Sequence, residues 1–236
     1  MPKYQNIISL GFFCSPEIEL NYLNLRKSSQ PFDWVISSNF NQVLELIDNN
    51  FKDFLNPKFL FQLKQYPQYY RNIKYNIDFY HDFYELKSFN KHIDKFKQKY
   101  DRRIKRFYNT IKEPTLFLRY ICSKEEAIYI NNNYEKINKL LKSYNANNDI
   151  IFVANKEDLY LKTSSDIKIW YVEKDNNDDV ARHFLRENSE LKAYILKNVS
   201  GNNISPHKLH KKSIPKTVLR KFCRILHVYY HHKQTI

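Results

Sequence analysis

Three consecutive stretches in the second half of the chain constrain its architecture more than any other feature. Thr115 to Tyr120 and Asp149 to Asn155 are short runs rich in β-formers, and Lys124 to Tyr144 between them reads as a helix. Strand, helix and strand in that order form a βαβ crossover, which makes the two strands parallel. Ile167 to Glu173 supplies a further β-rich run, and Asn6 to Leu10 near the start reads as a short apolar strand. The expected fold is α/β, a three-layer arrangement around a mainly parallel sheet.

The remaining elements follow from spacing. Ser15 as N-cap and Pro16 at the first helical position start a helix that runs to about Leu25. Ser37 or Ser38 can cap a second, carrying Phe40, Val43, Leu44, Ile47 and Phe51. Residues 52 to 75 hold Pro57 and Pro67 among many aromatics and read as an irregular packed insertion, with Tyr75 to Phe83 as a strand. Ser88 to Lys112 is a long helix whose stripe is Phe89, Ile93, Phe96, Tyr100, Ile104, Phe107 and Ile111. Asp178 to Lys197 is helical. Ser213-Ile214-Pro215 opens a last helix, with Val218, Phe222, Ile225 and Tyr229 on one side and Lys216, Arg220, Lys221 and Arg224 as its cations. The expected organisation is one α/β domain over 1–200 and a basic tail over 201–236 containing a C-terminal amphipathic helix.

Charge is concentrated in that tail. After Glu190 no acidic residue follows while ten lysines and arginines do, so most of the formal charge of +14 sits there and the body is only mildly basic. A basic amphipathic helix suits peripheral contact with an anionic membrane. Nucleic acid is not expected as a partner, because no recognised binding motif accompanies the charge. No apolar run approaches the ~18 residues of a membrane span. The start, Met1 to Asn6, lacks a signal-peptide pattern. Cys14, Cys122 and Cys223 are odd in number and far apart, which fits a reducing cytoplasm and excludes a disulfide framework. Neither the cysteines nor His207-x-x-His210 and His231-His232 give zinc-like spacing in a suitable context. No metal or cofactor is expected.

Only two glycines occur, against the ~16 that average usage would supply. One of them, Gly11, stands three residues before Cys14 in Ser9-Leu10-Gly11-Phe12-Phe13-Cys14-Ser15-Pro16. Cys14 therefore occupies a strand-to-helix turn near the positive end of a helix dipole, where a thiolate is favoured. Glu17 and Glu19 in the first helical turn oppose that charge. Asp33, in Gln30-Pro31-Phe32-Asp33-Trp34, is flanked by two large aromatics, so burial raises its pKa unless a cation such as Arg26 holds it ionised. His81, in Phe79-Tyr80-His81-Asp82-Phe83, is the one histidine in a strongly apolar run and the natural base at neutral pH. Asp82 is its neighbour in sequence, but adjacent side chains on a strand point to opposite faces, which leaves Asp33 or Asp82 as the group that orients it. On the long helix Arg102 and Arg106 lie four apart on one face, a guanidinium pair suited to phosphate, sulfate or carboxylate. Arg119 sits inside an apolar strand and must have a partner or a ligand.

These segments together resemble a family of bacterial and viral proteins of uncharacterised function labelled papain-like cysteine peptidases. The resemblance rests on Ser9 to Cys14, Arg26 to Trp34 (Arg-x-x-Ser-x-Pro-Phe-Asp-Trp), His81 to Phe83, Tyr100 to Phe107 and Leu116 to Arg119, in consistent order over roughly residues 5 to 155. It implies Cys14 as nucleophile and His81 as general base, with Asp33 or Asp82 orienting the imidazole. The sequence departs from papain itself: no glutamine lies closer upstream of Cys14 than Gln5, and the later strands read as parallel. The expected function is a cysteine-nucleophile hydrolase or acyltransferase. The alternative is a transferase for a phosphate, glycan or nucleotide-sugar ligand, with Arg26, Ser29, Arg102, Arg106 and Arg119 binding the anion and Cys14 structural. Surface-polysaccharide metabolism is the setting that the resemblance implies. The expected partner is an anionic small molecule or glycan.

Overall fold

A computed structural model describes residues 2–64, 66–83, 89–121, 123–157, 166–175 and 180–201. In chain order the elements are β1 (Asn6–Ser9), α1 (Ser15–Tyr22), β2 (Val35–Ser37), α2 (Phe40–Asp48), β3 (Leu60–Leu63), β4 (Tyr66–Asn72) and β5 (Ile77–Phe79). They are followed by α3 (Phe89–Thr110), β6 (Thr115–Tyr120), α4 (Lys124–Tyr144), β7 (Asp149–Asn155), β8 (Ile169–Val172), α5 (Phe184–Glu187) and α6 (Ser189–Asn198).

The parallel sheet has the order β1-β6-β7-β8. Asn6 to Ser9 lie opposite Thr115 to Leu118, and Leu116 to Tyr120 lie opposite Asp149 to Val153. Alternation along these strands divides the interior into two cores, one on each face. Ile8, Phe117, Ile150 and Phe152 point to a core shared with α2, α3 and α4. Ile7, Leu116, Leu118, Ile151 and Val153 point to one shared with α1, α5 and α6. A sheet sandwiched in this way gives the near-continuous apolar strands that the sequence shows. The α/β fold and its parallel sheet are as expected.

A second sheet was not expected. β2, β5, β4 and β3 form an antiparallel sheet, in that order, where the sequence suggested an irregular insertion. Val35 to Ser37 pair with Phe79 to Ile77, and Tyr70 to Asn72 pair with Phe79 to Ile77 from the other side. Only Ile77–Phe79 of the anticipated Tyr75 to Phe83 strand is extended. Because Ser37 is spent on β2, the α2 cap is Asn39, whose side chain accepts from Asn41 N. The single helix expected from Asp178 to Lys197 is two, α5 and α6, divided at Asn188, whose side chain caps α6 by accepting from Leu191 N.

A buried cation ties the two sheets together. Arg119 of β6 is fully buried and donates from Nη1 to Leu10 O (3.0 Å) and Ser37 Oγ (2.9 Å), from Nη2 to Ser37 O (2.6 Å), and from Nε to Glu126 Oε1 (2.7 Å). Glu126 lies in the first turn of α4, where Ser123 caps the helix by accepting from Glu126 N. Gly11 is packed under this brace at φ +83°, and a Cβ there would stand 2.6 Å from Ser37 Oγ. Gly11→Ala combines left-handed backbone strain with overpacking against Ser37. The expected destabilisation is about 2–4 kcal/mol, read as a lowered urea midpoint at unchanged slope.

The basic tail beyond Gly201 and the amphipathic helix expected in it, together with Cys122 and Cys223, lie outside the described residues. Among the described residues no helix is long and apolar enough to cross a membrane, and no group of His, Cys, Asp or Glu could hold a metal ion.

Candidate active site

Cys14 stands at the N-cap of α1, just beyond the turn made by Gly11 and Phe12, both at positive φ. Its side chain makes no capping bond, and Ser15 Oγ donates to the carbonyl of Arg182. Cys14 is buried, packed in the core that also holds Leu20, Ile36, Tyr69 and Tyr80. Burial pushes its thiol up to about 11, with the charge of Arg182 acting in the opposite direction. The resting group at neutral pH is therefore a thiol. Desolvation outweighs the helix-dipole effect that the turn suggested.

The Arg26 to Trp34 segment turns back over α1. Arg26 pairs with Glu17 of α1 through Nε, donates from Nη2 to Ser29 Oγ (2.6 Å), and lies 3.6 Å from Asp33 Oδ2. Asp33 has no solvent exposure, and its Oδ2 also accepts from Gln30 N at 2.6 Å. Burial raises its pKa to about 7 against the opposing effects of Gln30, Arg26 and Arg103. The two sequence possibilities, burial and a partner in Arg26, are thus both realised, and burial prevails.

His81 follows β5. Its ring meets Trp34 edge-on, with centroids 5.5 Å apart, and the guanidinium of Arg26 lies 5.7 Å from the Trp34 ring centre. Desolvation lowers the imidazole pKa below 6.5; Asp82 raises it, and Lys99 and Arg103 lower it further. The ring is neutral at pH 7. Of the two candidate orienting carboxylates, the one whose charge acts on His81 is Asp82. Asp82 is in turn held by Lys99 Nζ and by the hydroxyl of Tyr100 at 2.8 Å.

The arginines divide. Arg102 and Arg106 are exposed on α3, although the charge of Arg106 reaches Arg26. Arg119 has found the partner that a buried cation needs in Glu126. Arg103, between the exposed Arg102 and Ile104 of the α3 stripe, is nine-tenths buried, its guanidinium 4.9 Å from the Tyr100 ring centre. Its charge acts on Asp33, Arg26 and His81. The available signal was spacing: Phe96, Tyr100, Arg103 and Phe107 stand four, three and four apart, which places Arg103 in the buried row as well as Ile104.

His81, Trp34, Arg26, Asp33, Asp82 and Arg103 are thus gathered beside one another. Cys14 stands apart from them in hydrogen bonding: among the described residues no bond joins it to His81.

This arrangement coincides with a known sequence class. The family described as "Putative papain-like cysteine peptidase" matches residues 5–158. The chain belongs to that family. It is also similar to an uncharacterized protein of Acanthamoeba polyphaga mimivirus, 34% identical over 122 residues, which are 43% of this chain and 54% of the relative. The chain thus spans about half the length of the curated relative it matches. No solved structure matches.

Proposed function

We propose that the protein is a cysteine-dependent hydrolase or acyltransferase in which Cys14 is the nucleophile and His81 the general base. The observation that carries this reading is the position of Cys14. It sits at the amino-terminal cap of a helix, at the carboxyl end of a parallel strand, where α/β folds place their reactive groups. Family membership supports the same residue.

The electrostatics support general-base catalysis. A thiol near 11 and a depressed histidine are two neutral groups at rest, not a thiolate–imidazolium pair. The imidazole takes the thiol proton as sulfur attacks an acyl carbonyl. The resulting imidazolium protonates the leaving group as the carbon–leaving group bond breaks and a thioester remains. Water or an acceptor nucleophile then attacks the thioester, gives its proton to His81, and the thiol is restored. The charge of Asp82 favours the imidazolium formed in each half-reaction. Catalytic hydrogen bonds of this kind commonly form only in the substrate complex, and the reading requires Cys14 and His81 to meet there.

The arginine-based alternative has less support. Arg119 and Arg26 are engaged by protein groups, and Arg102 and Arg106 lie on the outer face of α3.

The test is acylation by p-nitrophenyl acetate at pH 7.5, followed by intact mass and peptide mapping. The expected result is one acetyl group on the Cys14 peptide of the native protein and none on Cys14→Ser. An equal yield of adduct in Cys14→Ser overturns the reading.

A further inference from the structure

We propose that Arg103 anchors an oxyanion-binding subsite beside His81, and that the substrate carries a carboxylate or phosphate group held there. Arg103 is 8% exposed, and its Nη1 is buried without a hydrogen-bond acceptor. Burying a cation is costly unless it is paired and hydrogen-bonded. The neighbouring carboxylates are committed elsewhere: Glu17 to Arg26, Asp82 to Lys99 and Tyr100, and Asp33 Oδ2 to Gln30 N and Arg26. Arg103 forms no ion pair with any described carboxylate. It stands in the same cluster as His81, Asp33 and Arg26, on each of which its charge acts.

The second observation is complementary. Asp33 Oδ1 is also buried, and it has no hydrogen-bond donor. The Nη1 donor of Arg103 and the Oδ1 acceptor of Asp33, both unsatisfied, match a group that presents an oxygen to one and a hydroxyl to the other. An oxyanion suits the Arg103 fork, and a protonated phosphate oxygen or an adjacent alcohol suits Asp33. Arg26 and Arg106 add positive charge around the same point, with Glu17, Asp33 and Asp82 as the opposing carboxylates. The subsite deepens the reading above, because it places an anionic part of the acyl substrate next to the base. Its test measures binding rather than turnover, so the two readings can fail separately.

The experiment uses the full chain carrying Cys14→Ser, titrated in parallel with inorganic phosphate and with acetate. The readout is the ring resonance of His81, assigned by its absence in His81→Gln. Saturable binding of at least one anion is expected, with the His81 pKa displaced upward by the adjacent negative charge. A stronger response to phosphate assigns a phosphate-bearing substrate, and a stronger response to acetate a carboxylate. Arg103→Gln is expected to weaken binding at least 10-fold, while Arg102→Gln, on the exposed face, retains it. Phenylglyoxal modification of the unsubstituted site, mapped by mass spectrometry, gives a reading that does not depend on the variant folding: the bound anion protects Arg103. No saturable shift with either anion, undiminished binding in Arg103→Gln, or no protection of Arg103 overturns the proposal.

Discussion

Arg119→Met is expected to destabilise the protein by about 3–5 kcal/mol, enough to remove much of the ~5–15 kcal/mol that holds a typical domain folded. The methionine can fill the space but takes the ion-pair partner away from Glu126, whose side chain is 2% exposed. It also removes the donors to Leu10 O, Ser37 Oγ and Ser37 O, which join the parallel sheet to the antiparallel one. Removing both charges in Arg119→Met with Glu126→Gln should recover part of the loss, because the buried carboxylate is then gone. Chemical denaturation of the two variants beside the native protein checks this. If the single variant melts like the native protein, Arg119 does not brace the fold.

His81→Gln is expected to slow acylation of Cys14 at pH 7.5 by at least 100-fold, the lower range of what a positioned general base contributes. With a thiol near 11, the reaction is left to the roughly one molecule in ten thousand that carries a thiolate at pH 7. Melting temperature should change little, since Gln preserves much of the ring's volume against Trp34. A core histidine would behave differently: stability would fall, and residual reactivity would scale with the folded fraction. Thermal melts alongside rates separate the two.

The parts of the fold governed by local pattern were legible in the sequence. β6, α4 and β7 begin and end where the β-rich runs and the helical segment between them put them. The antiparallel sheet was not legible, because its evidence is contradictory at short range. β3 exposes Phe61 and Gln62, and Pro67 argues against a strand interior. Pro67 is accommodated where the β3–β4 register shifts, between Gln62 opposite Tyr70 and Leu63 opposite Tyr66. Strand β2 is three residues long and depends on partners that are distant in sequence.

The candidate site divides along the same line. Arg26 as a partner of Asp33 was legible, and Asp33 or Asp82 beside His81 was anticipated as alternatives, whereas the packing of His81 and Arg26 on Trp34 was not, because contacts between segments are set by tertiary packing. The balance between burial and helix dipole at Cys14 has the same origin: sequence gives the dipole, and only packing gives the desolvation. Arg103 was hidden by its residue type, since a charge at a core position of an amphipathic helix reads first as part of the solvated face.

The central claim is that Cys14 acts with His81 as a neutral thiol–imidazole pair, and the pH dependence of Cys14 acylation tests it most directly. Rates with p-nitrophenyl acetate are measured from pH 5 to 9 in the native protein and in His81→Gln. A base with a depressed pKa is already deprotonated above pH 6.5 and is lost as pH falls through its pKa. The native rate should therefore be level at neutral and alkaline pH and fall only as pH drops through the depressed pKa of His81, below the ordinary histidine value. The His81→Gln rate should instead rise about tenfold per pH unit across the range, following the thiolate alone. The same rising line in both proteins would contradict the account.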